Sequence, residues 1–130
     1  MSHPSPAALL EHRGPALLLG AIDAFDGHQL LCTSRGTGPW RWPEILEGAA
    51  QSAGLMAGMQ PGGPSATAVI AEYRGVIVHA PSHAGTIRYA ARLVRRLLHF
   101  WRCRIEARSV DGKLLLEGEV TLSPKARARA

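Results

Sequence analysis

The sequence has no hydrophobic run long enough to cross a bilayer as a helix. It has only 2 cysteines, Cys32 and Cys103, and their spacing is of neither metal nor redox type. They read as reduced strand residues of a cytoplasmic protein rather than as a disulfide. Internal repeats, linkers and low-complexity segments are missing. The opening stretch Met1-Ser2-His3-Pro4-Ser5-Pro6 is polar and proline-rich, which excludes a secretory signal there. No helix-turn-helix, zinc-finger or RNA-binding aromatic signature accompanies the net charge of +5, so no nucleic acid is expected as a partner. Of 15 basic residues only Lys113 and Lys125 are lysine, leaving 13 arginines, and those from Arg88 to Arg108 are spaced as on strands. A basic surface of this kind attracts an acidic partner.

What remains is a chain of 130 residues, 46% hydrophobic, long enough for one domain with a real core. Residues 1–5 and 124–130 read as frayed tails. Pro4 to His12 reads as a short helical turn, with Ser5 as N-cap and Pro6 at the first position. Strands are expected over Ala16 to Phe25 and His28 to Ser34. A loop follows at Gly36-Thr37-Gly38-Pro39. Pro43 opens a helix that runs to about Met59, stopped by Gln60-Pro61-Gly62-Gly63-Pro64. Ala66 to Val78 is strand-like, with a break expected near Tyr73-Arg74-Gly75. His79 to Ala84 reads as a loop. Gly85 to Arg96 and Leu97 to Val110 read as two further strands. Asp111-Gly112 is the strongest hairpin signal. A two-residue turn there sets Val110 against Lys113, Trp101 against Leu122, Cys103 against Val120 and Ala107 against Leu116. On the other face it sets Arg104 against Glu119. Glu106 then meets Glu117, a like-charge pair that Arg104 and Arg108 stand close enough to relieve.

The helix carries the chemistry. Pro43-Glu44-Ile45-Leu46-Glu47-Gly48-Ala49-Ala50-Gln51-Ser52-Ala53-Gly54-Leu55 is apolar or small nearly all round, with one carboxylate in the middle. Glu47 and Gln51 are four residues apart and share a face. Gly54 continues that stripe and Gly48 lies beside its start, leaving a bare lane that a thin substrate can approach. A polar pair inside an apolar element needs a partner or a purpose.

The run Pro43 to Gly54 resembles the central helix of the hotdog-fold 3-hydroxyacyl-ACP dehydratases. Further segments agree in order: Leu10 to Leu19 with the family's entry motif, Arg74-Gly75-Val76 and Pro81 to Gly85 with the strand and loop after the helix, and Phe100-Trp101-Arg102 and Val110 to Lys113 with the last strands. The resemblance implies an α+β hotdog fold, a curved antiparallel sheet of five to six strands wrapped around one long central helix. It places Glu47 and Gln51 on the family's catalytic Glu and its Gln, with Gly48 and Gly54 lining the substrate lane. It implies an acyl thioester, on acyl carrier protein or as acyl-CoA, no cofactor and no metal. It also implies a homodimer or larger homo-oligomer, or a hetero-oligomer with an active dehydratase.

The family's second catalytic residue is a His in a Gly-His-Phe-Pro-Gly type loop before the helix, and Leu31 to Pro43 contains no His. Trp40 and Trp42 stand there instead, either as cover for the helix end or as contacts for the acyl chain. Abstraction of an α-proton needs a positioned base. Three readings follow. Glu47 acts alone, as a thioesterase. His79 or His83 replaces the missing base. Or the chain is a non-catalytic acyl-carrier-binding partner subunit, resembling the divergent dehydratase-like proteins of aryl-polyene pathways.

Overall fold

The computed structural model describes residues 3–6, 17–60, 69–97 and 100–123. Most of the expected turn at Pro4 to His12, most of the entry motif and the tail from Pro124 lie outside those residues. The elements in chain order are β1 (Leu19–Phe25), β2 (Gln29–Ser34), β3 (Trp40–Arg41), α1 (Trp42–Gly58), β4 (Val69–Val78), β5 (Ser82–His83), β6 (Ile87–Leu97), β7 (Phe100–Ser109) and β8 (Leu114–Ser123). Six strands form one antiparallel sheet in the order β1-β2-β6-β7-β8-β4, while β3 and β5 pair as a short separate ribbon. α1 touches every strand of the larger sheet, so the sheet curves around it. This is the architecture that the resemblance implies.

The helix forms where expected and for the expected reasons. Pro43 supplies a preset φ in the first turn. Glu44 turns back so that its Oε1 accepts the Arg41 N–H at 3.0 Å. At the other end Gln60 donates from Nε2 to the carbonyl of Gly27 at 2.7 Å, which ties the helix exit to the β1–β2 turn. Between the ends, Ile45, Ala49, Ala53, Leu55, Met56 and Ala57 are buried against Leu30, Tyr89, Ala91, Trp101, Ile105 and Leu122. The short side chains of α1 let its axis lie close to the sheet.

The expected register of β7 and β8 is found from Trp101–Leu122 through Cys103–Val120, Arg104–Glu119 and Glu106–Glu117 to Ala107–Leu116. The turn itself differs. Arg108 pairs with Leu114, the Ser109 N–H donates to the Lys113 carbonyl at 2.9 Å, and Val110 does not face Lys113. One extra residue, Leu115, is accommodated as a bulge. Its carbonyl accepts from both His79 (2.9 Å) and Ala80 (3.1 Å), so the bulge has partners from the segment after β4. The expected break near Gly75 is likewise a shift of register between Arg74 and Ile77 within a continuous β4, with Gly75 at φ 60°. The segment read as a loop from His79 to Ala84 contains β5, and the stretch before the helix contains β3. Two-residue strands follow from contact with each other, and no local pattern announces them. Cys32 and Cys103 are free and buried on β2 and β7, and burial pushes both thiols up to about 12.

Candidate functional site

Gln51 is 3% exposed, yet its amide is occupied at both ends. Oε1 accepts the Leu18 N–H at 2.9 Å, and Nε2 points at Glu47 Oε1 at 3.5 Å. The segment leading into β1 thereby fixes the amide's orientation, and the amide in turn addresses the carboxylate one turn earlier. Glu47 is on the exposed flank of α1. Its charge reaches Tyr73 on β4, whose phenol is pushed up first by burial and then by the Glu47 carboxylate. β4 is an end strand of the sheet. Tyr73, Ile77 and Val78 on it are exposed, as is Trp42 at the start of α1.

The lane beside Glu47 is differently filled from the sequence reading. Gly48 is buried, and a Cβ there would lie 2.3 Å from the Tyr89 hydroxyl and 2.5 Å from its ring carbon. The glycine makes room for that phenol. Tyr89 is 1% exposed, and among the described residues its hydroxyl has no hydrogen-bond partner. Burial and then the charge of Glu44 push its ionisation well above the usual phenol range. Sequence reading did not single out Tyr89. Its position opposite Cys32 and Ala107 marks it as an inward strand residue, but nothing local reports where its ring ends. Gly54 is half-buried on the following turns of α1.

Trp40 and Trp42 flank Arg41 but have separate surroundings. Trp40 is 7% exposed, donates from Nε1 to the Gly85 carbonyl at 2.9 Å, and pairs with His83 across the β3–β5 ribbon. Gly38 has φ 76° and a Cβ there would meet the Trp40 ring at 2.7 Å, so the loop needs glycine to bring Trp40 in. Trp42 is 44% exposed, and its N–H donates to the Pro81 carbonyl at 2.9 Å. Ser34 helps fix the same region, donating to the Gly36 carbonyl and accepting from Ile87 N–H.

The two candidate histidines part company. His79 Nε2 is 2.7 Å from Glu117 Oε2, and Glu117 Oε1 accepts from Arg104. Glu117, Arg104 and Glu106 alternate with the buried residues of their strands, so they occupy the face of the sheet turned away from α1. His79 therefore serves the outer face. Its hydrogen bond, then the Arg104 charge, hold the Glu117 carboxyl below its usual range. Arg108 turns to Glu106 at 3.2 Å, and with Arg104 it relieves the Glu106–Glu117 juxtaposition. His83 instead lies on β5, half-buried beside Trp40, at the ribbon that leads directly into α1. Its Nε2 is 3.4 Å from the Cβ position of Gly85, and among the described residues no hydrogen bond holds it. Among the described residues no group of three or more His, Cys, Asp or Glu could hold a metal ion, and no helix is long and apolar enough to cross a membrane.

No protein-family model matches the chain, and a search of curated protein sequences finds no match. Solved structures do match. The dehydratase heterocomplex ApeI:P from Xenorhabdus doucetiae is 16% identical with a TM-score of 0.81, over 96% of this chain and 93% of that one. A conserved protein of Pseudomonas aeruginosa is 16% identical with a TM-score of 0.73, over 92% of this chain and 98% of that one. A thioesterase of Haemophilus influenzae is 16% identical with a TM-score of 0.64, over 79% of this chain and 76% of that one. At these identities the likeness is one of fold.

Proposed function

We propose that this chain, which has the hotdog fold, binds an acyl thioester beside Glu47 and acts on it as a dehydratase-like lyase. The observation that carries the reading is the clamped pair on α1. Gln51 is immobilised by Leu18, and the carboxylate it addresses is exposed on the flank of an otherwise apolar helix. An amide fixed in that way orients a reactive carboxyl without adding charge to it. In this reading Glu47 donates a proton to the departing hydroxyl of a 3-hydroxyacyl group, which leaves as water. His83 takes the α-proton. His83 is favoured over His79 because it lies on the ribbon that enters α1, whereas His79 is engaged with Glu117 on the far face. The N-terminal N–H groups of α1 face the thioester oxygen, where they stabilise developing negative charge.

The likeness to a dehydratase heterocomplex over nearly the whole chain supports a second reading, in which this chain is the non-catalytic partner of an active subunit. The absence of His between Leu31 and Pro43 favours it as well. The fold likeness to a thioesterase keeps Glu47-only hydrolysis as the third outcome.

β4 is proposed as the edge on which a second copy, or an active partner subunit, completes the site. Its exposed Tyr73, Ile77 and Val78 are costly to leave in water. Acyl carrier protein is favoured over CoA as the thioester's carrier. Arg92 lies directly opposite Arg104, and Arg95 opposite Arg102, on the outer face. Among the described residues Arg92, Arg95 and Arg102 have no carboxylate partner, a charge pattern suited to an acidic protein surface.

The deciding experiment incubates the purified protein with 3-hydroxyacyl and saturated acyl thioesters, each on carrier protein and on CoA, and follows mass. Loss of water identifies the lyase. Release of thiol identifies the thioesterase. Binding of acyl carrier protein without turnover identifies the partner subunit. Absence of both turnover and binding overturns the reading.

A further inference from the structure

The outer face of the sheet has a hollow of about 460 Å³ between the β1–β2 pair and the β7–β8 hairpin. It exists because Ala90 is a small residue among long ones. Along β6 its neighbours on that face are Arg88 and Arg92, while across the strands it meets Leu31 on β2 and Glu106 on β7. Leu31 and Val110 give the hollow an apolar wall on either side, 39% and 52% exposed. The hollow is separate from the Glu47 site. Cys32 and Tyr89, next to Leu31 and Ala90 in sequence, point inward to the core, so the thickness of the sheet lies between the two.

The charges around it, Arg88 and Arg108 against Asp23 and Glu106, sum to zero but are unevenly paired. Arg108 is held by Glu106, at 3.2 and 3.4 Å, and by the Gly112 carbonyl at 3.0 Å. Asp23 accepts the hydroxyl of Thr33. Arg88 stands directly opposite Arg108, and among the described residues it has neither an ion pair nor a hydrogen bond to its side chain. Like charges in register oppose each other, and an anion between them removes the conflict. The guanidinium fork accepts a carboxylate with two parallel hydrogen bonds. Asp23 and Glu106 on the walls disfavour a multiply charged group such as phosphate.

We propose that this hollow is a binding site for a monocarboxylate with an apolar tail, the carboxylate on Arg88 and the tail across Ala90 between Leu31 and Val110. A free carboxylic acid of medium chain length has that chemistry, and the site is independent of what Glu47 does.

The test titrates decanoate into the full chain by calorimetry, with decanol and decylammonium as controls. Decanoate is expected to bind and the controls to bind at least tenfold more weakly. Arg88→Gln is expected to weaken decanoate about tenfold or more, the loss of a charged hydrogen-bonding partner. Ala90→Phe, which fills the hollow from an outward position, is expected to abolish binding while leaving the melting temperature within a few degrees of the parent. The proposal is overturned if decanoate does not bind, if decanol binds equally well, or if both variants bind as the parent does. It is also overturned if sedimentation shows that Ala90→Phe breaks an association between copies that decanoate leaves intact, for then a second copy fills the hollow.

Discussion

The hydroxyl of Tyr89 stands where a side chain at Gly48 would have to be, 2.3 Å from the position of its Cβ. A strand residue and a helix residue thus share one volume. The contact fixes how close α1 lies to β6 at the turn that carries Glu47.

Gly48→Ala is therefore expected to destabilise the protein by roughly 1–3 kcal/mol, the usual cost of overpacking. The methyl meets the ring carbon as well as the hydroxyl, so Tyr89→Phe does not rescue it. On its own, Tyr89→Phe is expected to leave stability unchanged or to raise it by about 1 kcal/mol, because it removes a buried hydroxyl without a partner. Urea titrations of the two single variants check both statements. A clear loss of stability in Tyr89→Phe would show that the hydroxyl has a partner after all.

Ala53→Leu tests the packing of the helix. Ala53 is fully buried between α1 and the sheet. The added branched chain is expected to cost about 1–3 kcal/mol. A variant that melts with the parent would mean that this face of α1 is not covered.

Acid should act through Glu117. Its carboxyl is held below the ordinary 4.5 by the His79 hydrogen bond and the Arg104 charge. A depressed carboxyl contributes stability above its unfolded value, and that contribution is lost as pH falls through the folded value. The parent is thus expected to exceed Glu117→Gln in stability at neutral pH, with the difference shrinking as the pH drops below 4.5. Thermal melts of both proteins across that range measure it. A difference that does not change with pH would point to shape rather than charge.

Turnover separates the two histidines. Glu47→Gln and His83→Ala are each expected to lower dehydration by about 10²–10⁴-fold, the usual contribution of a general acid or base. His79→Ala is expected to lower stability and leave the rate near that of the parent. Steady-state rates on a 3-hydroxyacyl thioester decide the matter. Vigorous dehydration by Glu47→Gln would remove the carboxylate from the mechanism.

Association should run through β4. Ile77→Lys places a charge at an exposed apolar position of the end strand and is expected to shift sedimentation toward the single chain. A parent that sediments as a single chain at micromolar concentration would contradict a shared site.

Much of this was legible because it is local or periodic. Pro43, the small residues after Glu47 and the stop at Gln60 define a helix by themselves. Asp111-Gly112 with alternating neighbours fixes nearly all of the β7–β8 register. What was not legible depends on groups far apart in sequence. The bulge at Leu115 follows from a carbonyl shared by His79 and Ala80. His79 finds Glu117 at a separation of 38 residues. Trp40 finds Gly85 at a separation of 45. The room at Gly48 is set by a ring that begins on β6. A glycine in a small-residue helix gives the same signal whether a substrate or a tyrosine fills the space beside it.

The stitching of the segment around Trp40 to the one around His83 has a mechanical consequence. Thr37 accepts from Gly85, the Trp40 indole donates to Gly85, and Trp42 donates to Pro81, while Trp40 and Arg41 pair with His83 and Ser82. Two spans fastened at both ends and in the middle move as one plate, and α1 is welded to its rim. Such a plate has no hinge and cannot swing aside as a lid. Among the described residues the open flank near Glu47 is the β4 side, where Tyr73, Ile77 and Val78 are exposed. If Glu47 acts as proposed, a neighbouring subunit on that side would set the width of the doorway.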